Sequence, residues 1–243
     1  MANGGFLLTL QTYIDEITLL TGSSEHDINR LIGGVPSESC LISPDTGVAE
    51  IKVKFTGAVN IQALSVVNHS IPADAIMKVY FSTDGSDWTN ETAVAHNAIN
   101  LYKIFDYTKQ YIKLRVETTS DFQVGELFSG AKFQFPENWD YDYVPGFRIH
   151  KVAEQINGQY RQKEISRQRK WSLPFKRQSI DDWETFANLH DAEPKIFVPD
   201  FGLPDCFHVA IPGSDFDPKR STGDVDTFTI EAFENAVKNN VQG

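Results

Sequence analysis

The sequence predicts a mainly β protein: an antiparallel β-sandwich in its first half and a small β-barrel or sandwich with one helix in its second. Three observations carry this. Short apolar segments recur between turn signals through the first half, no long helical period separates them, and apolar residues at helical spacing are confined to one stretch near position 180.

In the first half, Glu50-Ile51-Lys52-Val53-Lys54-Phe55 alternates as a strand with one wet face does, and Ile61 to Val67 is continuous enough for a more buried strand. Met77 to Ser82 is the next strand, closed by the turn signal Thr83-Asp84-Gly85-Ser86, and Tyr111 to Val116 is another. From about Gly130 the texture changes. Residues 133–146 are aromatic and rich in turn formers, as an interdomain connection packed down by its rings would be. The expected domains are 1–129 and 130–243.

The second domain opens with a strand over Lys170 to Phe175. A helix is expected over Ser179 to His190: Ser179 suits the N-cap, acids fill the first turns, and Ile180, Trp183, Phe186 and Ala187 supply the apolar spacing. Strands over 194–199, 207–211 and 227–234 complete it, and the tail after Glu234 is polar.

Composition excludes several classes. The 243 residues carry 33 acidic and 22 basic side chains, a net charge of −11, which disfavours general nucleic-acid binding. No apolar run is long enough to cross a bilayer, so membrane insertion is not expected. Cys40 and Cys206 are read as two separate buried thiols, neither a disulfide framework nor a zinc site.

Charge is unevenly spread. Between Arg148 and Arg177 stand nine basic residues (Arg148, Lys151, Arg161, Lys163, Arg167, Arg169, Lys170, Lys176 and Arg177) against Glu154 and Glu164 alone. Such a segment can pair with the acidic surface of a like molecule, lie solvated, or contact nucleic acid. The acids Asp215, Asp217, Asp224 and Asp226 crowd one expected hairpin loop before the last strand.

Catalytic constellations are missing. The six histidines, His69 among them, are scattered without HxxxH spacing, and no nucleophile elbow or phosphate-binding glycine loop occurs, so neither an enzyme nor a metal or other cofactor is expected. The run from Asp215 to Asp226 fails the EF-hand template at its sixth and twelfth positions. Of the four tryptophans, Trp88 alone is placed for a loop role.

The runs Ile61 to Ile71, Val79 to Thr89 (with Ser82-Thr83-Asp84-Gly85-Ser86-Asp87-Trp88 inside it) and Tyr111 to Val116, with the lead-in Leu19 to Glu25, resemble the galactose-binding-like, discoidin-type jelly roll. With Gly125 to Gly130, the Asn138 to Tyr143 segment and a small β-domain behind it, the order is similar to tail-tip proteins of long-tailed bacteriophages, the second domain resembling the barrel of tail tube and distal tail proteins. That resemblance implies a structural virion protein assembled in the host cytoplasm: a homo-oligomeric ring, commonly a hexamer, joining tail tube to tail hub in the baseplate, with Asp215, Asp217, Asp224 and Asp226 as candidates for the wall of its DNA-carrying lumen and the basic segment from Arg148 at subunit contacts. The alternative is an adhesion module for a host surface glycan, with Asn68, His69, Asp84, Asp87 and Trp88 as the candidate contacting loop residues.

Overall fold

The computed structural model describes residues 4–9, 13–32, 38–97, 100–134, 144–156, 159–178, 195–210, 219–221 and 224–234. Within them the strands are β1 (Gly5–Thr9), β2 (Ile14–Thr21), β3 (Ser23–Ser24), β4 (Cys40–Ser43), β5 (Val48–His69), β6 (Ile76–Ser82), β7 (Thr89–Val94), β8 (Leu101–Glu117), β9 (Phe122–Phe133), β10 (Val144–Ile156), β11 (Gln159–Gln178), β12 (Lys195–Val198), β13 (Phe207–Ala210), β14 (Lys219–Ser221) and β15 (Asp224–Glu234). A 3-10 turn spans Ile28–Ile32. The mainly β expectation holds, with antiparallel pairing throughout the described ladders. The expected helix over Ser179 to His190 lies outside the described residues.

The chain divides into two compact units, one of residues 4–133 with 192–207, the other of 134–191 with 208–243. The sequence puts the break after Ser129, but β9 runs on through Phe133 and carries the division with it. More consequentially, Ala192–Phe207 belongs with the first unit although it follows most of the second in sequence.

In the first unit, β5 and β8 are long strands that serve two ladders. Residues 50–55 of β5 pair with β2 on one side and 48–54 with 111–117 of β8 on the other, and the ladder continues from β8 to β6 and β7. Residues 59–66 of β5 still pair with β8, at 101–109, but on the other side β9 replaces β2 from residue 63 to 69, and β9 pairs with β1, which pairs with β12. The expectation of separate strands over 50–55 and 61–67 is therefore corrected: they are one strand, interrupted where the register shifts between Lys54 and Val59. Gly57 mimics a turn signal there, yet it sits inside a bulge, which adds residues to one strand without ending it.

Burial follows the two ladders. Ala49, Ile51, Val53 and Phe55 alternate with half-buried neighbours, as a strand covered on one face requires. The second half is buried almost without interruption because both its faces are covered. Leu64 and Val66 join the main core with Phe81, Leu114, Phe122 and Leu127, whereas Ala63 and Val67 join a second cluster with Leu7, Phe128, Ile196, Val198 and Cys206. At ~25 cal/mol per Å2 of apolar surface removed from water, a fully buried side chain such as Phe128 contributes roughly 2–3 kcal/mol.

The second unit is built on a hairpin of β10 and β11, with β15 against β11 and β13 and β14 against β15. The strand expected over Lys170 to Phe175 lies in the second half of β11, in which Trp171 and Leu173 are buried. The described pairings form a sheet, and barrel closure is not among them.

Candidate functional site

The loop residues selected from the sequence do not meet. Asp84, Asp87 and Trp88 sit in the turn of the β6–β7 hairpin, in which Phe81 pairs with Thr89 and Met77 with Val94. Asn68 and His69 end β5 and neighbour the opposite end of that hairpin, where His96 follows Val94; the His69 and His96 rings are 5.6 Å apart. The length of the hairpin therefore separates the two groups.

Each group is also committed to internal contacts. The Asp84 carboxylate accepts from the Ser86 and Asp87 N–H groups (2.9 and 3.0 Å) and from the Ser82 hydroxyl (2.9 Å), and these bonds hold it well below the usual carboxylate range. Trp88 is half-buried over Lys113, whose Nζ lies 4.7 Å from its ring, 5.2 Å from the Tyr80 ring and 3.0 Å from Glu50 Oε1. Trp88 thus faces a cation of its own sheet. Asn68 adopts φ 51°, and its N–H donates to Asn100 Oδ1 (2.9 Å). His69 is 7% exposed.

A different set of residues lines an open recess of about 540 Å3 in the first unit: Ala95, His96, Tyr102, Lys103 and Ile104 from the earlier chain, and Phe201 to Pro204 from the later. Asp200-Phe201-Gly202-Leu203-Pro204 is a turn-rich strap, tied by Gly202 N–H to Asp200 Oδ1 (2.8 Å). Tyr102 projects from β8 and donates its hydroxyl to the Leu203 carbonyl (2.6 Å). Asn97 Nδ2 donates to the Pro204 carbonyl (3.0 Å). The Tyr102 and Phe201 rings meet edge to face at 6.4 Å, and Lys132 Nζ stands 4.2 Å from the Phe201 centroid. Burial, then the neighbouring Cys206, Asp200 and Asp205, pushes the Tyr102 hydroxyl up to about 12, so it stays a neutral donor.

Chemically this is a recess with aromatic and aliphatic walls and an imidazole at its edge, of a volume that suits a small organic ligand. Among the described residues no three metal-ligating side chains cluster. Sequence reasoning placed neither Tyr102 nor Phe201 in a site, and counted His96 only among the scattered histidines. The strap went unread, and its packing on residues a hundred positions earlier leaves no local sequence signal.

In the second unit, Arg148, Lys151, Arg161, Lys163 and Arg167 stand on β10 and β11, where Lys151 is the register partner of Glu164 and Arg161 that of Glu154. Arg169 is exposed, with its Nε 3.7 Å from Glu234 Oε2, and Lys170 is half-buried. Asp215 and Asp217 lie outside the described residues. Asp224 and Asp226 correct the expectation of a loop: both belong to β15, Asp224 opposite Ser221 of β14.

No family model matches the chain, and no curated protein matches it. Solved structures similar to it include carbohydrate-binding modules and a lectin domain. A fucose-binding module of Streptococcus pneumoniae is 12% identical over 51% of this chain and 95% of its own, with a TM-score of 0.44. A pectin-binding carbohydrate-binding module is 18% identical over 49% and 91%, at 0.39, and the lectin domain of lectinolysin complexed with Lewis B antigen 9% identical over 47% and 90%, at 0.41.

Proposed function

We propose that the chain is a non-catalytic binding protein whose first unit holds a saccharide in the cavity walled by Tyr102, Phe201 and His96. The observation that carries this reading is the cavity itself: about 540 Å3, with two ring walls and a histidine at its edge. The C–H faces of a sugar pack on aromatic rings while its hydroxyls need polar partners at the rim. A glycan array probed with the full chain, followed by calorimetric titration of its hits, tests it. Phe201→Ala should weaken binding at least about tenfold and Trp88→Ala should leave it unchanged. No saccharide bound at millimolar concentration, or a loss confined to Trp88→Ala, would remove the cavity from consideration.

A second reading is supported by the charge distribution: the nine basic residues of the Arg148 to Arg177 segment fall on the β10–β11 hairpin, in a chain of net charge −11. In it the chain is a ring-forming, distal-tail-like subunit of a long-tailed phage, with that segment pairing against the acidic surface of the next copy. Light scattering of the full chain should then show an oligomer that dissociates as salt is raised; a monomer at every salt and protein concentration rejects it.

A further inference from the structure

The peptide groups of Ile71 are gripped by two histidines. Its N–H donates to His69 Nδ1 (3.2 Å), and its carbonyl accepts from His96 Nε2 (2.8 Å). A ring nitrogen that accepts carries no proton, and one that binds a carbonyl carries one. The two bonds therefore fix His69 as a neutral imidazole with its proton on Nε2, and place a proton on Nε2 of His96. The rings stand edge to face, 5.6 Å apart at 82°.

This grip reaches the cavity by two routes. His96 lines the wall, and Asn97 beside it holds the strap at the Pro204 carbonyl. Asn68, immediately before His69, bonds Asn100 Oδ1, and Asn100 Nδ2 donates to the Cys206 carbonyl (3.1 Å). Asn97, next to His96, thus fastens the strap at Pro204, and Asn68, next to His69, reaches through Asn100 to the Cys206 carbonyl, two residues past the strap.

We propose that His69 and His96 form an acid-sensitive latch on Ile71, and that protonation of His69 frees the strap that walls the cavity. Ligand release as its purpose rests on the saccharide reading; the latch does not. A proton on His69 Nδ1 would face the Ile71 N–H, replacing a hydrogen bond by two opposed donors. Burial, with His96 adding to it, pushes His69 down to about 4, so the latch is shut at neutral pH and opens only in acid. The titratable group facing it from the 95–97 segment is His96, a second potential cation. On β9 the register partner of His69 is Val124, and Glu126 two residues further is pushed up to about 7 by burial, hence uncharged in acid and no counter-ion. Asp74, on the loop after Ile71, is exposed.

Cys206 reports the strap, because its thiol is buried against Ser65 Oγ (3.8 Å), and Cys40, buried apart from the strap, is the internal control. The probe is 4,4′-dithiodipyridine, which labels thiols in acid, with the labelled cysteine identified by mass spectrometry. As pH falls through about 4, labelling of Cys206 in the full chain should rise at least about tenfold while Cys40 stays protected. In His69→Gln, whose amide oxygen still accepts from Ile71 without titrating, the rise should disappear. Simultaneous opening of both thiols, or an undiminished rise in His69→Gln, overturns the latch. Should that variant not fold, imidazole 15N spectra of the unaltered protein decide: a neutral Nε2–H tautomer of His69 at about pH 5–8 supports the latch, and an Nδ1–H tautomer refutes it. A glycan array without hits removes the saccharide and leaves these readouts intact.

Discussion

The Tyr102 hydroxyl donates to the Leu203 carbonyl at 2.6 Å, joining β8 to the strap across a separation of 101 residues. The bond closes the cavity on one side and leaves the tyrosine ring as its wall. Tyr102→Phe keeps the ring and removes the donor, so it should cost about 1 kcal/mol in denaturant stability. Saccharide affinity should fall less than in Phe201→Ala, because the ring remains. A midpoint identical to that of the unaltered protein would show that the strap is held without this bond.

The pH profile of stability should be bell-shaped. Burial raises Glu126 from 4.5 to about 7, so the folded state holds its proton more tightly than the unfolded chain does; that stability is present below pH 4.5 and is lost as pH rises through about 7. His69 and His208 are lowered by burial from 6.5 to about 4, so their contribution is present above pH 6.5 and is lost as pH falls toward 4. Glu126→Gln should flatten the alkaline limb, by on the order of 3 kcal/mol between pH 4.5 and 8 if burial alone sets the shift. Urea melts across the pH range check this, and an unchanged limb in the variant would assign it to another group.

Trp88→Ala should strip Lys113 of the ring 4.7 Å away and destabilise the first unit by about 1 kcal/mol. Lys113→Met, which also leaves Glu50 with only Arg115, should cost more. Thermal melts of the two variants and their double mutant measure the coupling, and strict additivity would mean that the ring and the amine do not interact.

Gly85 has φ 81°, and a Cβ there would stand 3.2 Å from the Tyr111 ring. Gly85→Ala should cost about 1–2 kcal/mol through the left-handed backbone and the crowding together. An alanine variant of unchanged melting temperature would indicate that the turn relaxes freely.

Much of the first unit was legible because its strands alternate. Ala49, Ile51, Val53 and Phe55 announce one covered face, and the apolar run from Ile61 announces two. The join between them was not legible, because a bulge and a turn both spend glycine and polar residues, and only the partner strand tells them apart. The candidate site was almost wholly hidden. Asp84, Asp87 and Trp88 look like recognition residues because polar groups and an aromatic crowd one turn, yet the Asp84 carboxylate is taken up by the Ser86 and Asp87 N–H groups and Trp88 lies over Lys113. Tyr102 and Phe201 look like ordinary core, and their meeting depends on a segment packing beside residues far earlier in the chain, which no local pattern encodes.

That placement of residues 192–207 sets a timetable for synthesis. β1 is zipped between β9 and β12, and the apolar cluster of Leu7, Val67 and Phe128 is completed by Ile196, Val198 and Cys206. A ribosome that has released β9 has therefore not yet supplied what covers that face, and must first deliver residues 134–191 and then the strap. Through that interval the nascent chain carries an uncovered strand edge and exposed Leu7, Val67 and Phe128, the combination that invites wrong pairing and engages chaperones. Slow translation within 134–191 would lengthen the exposure, whereas slow translation after Phe207 would not.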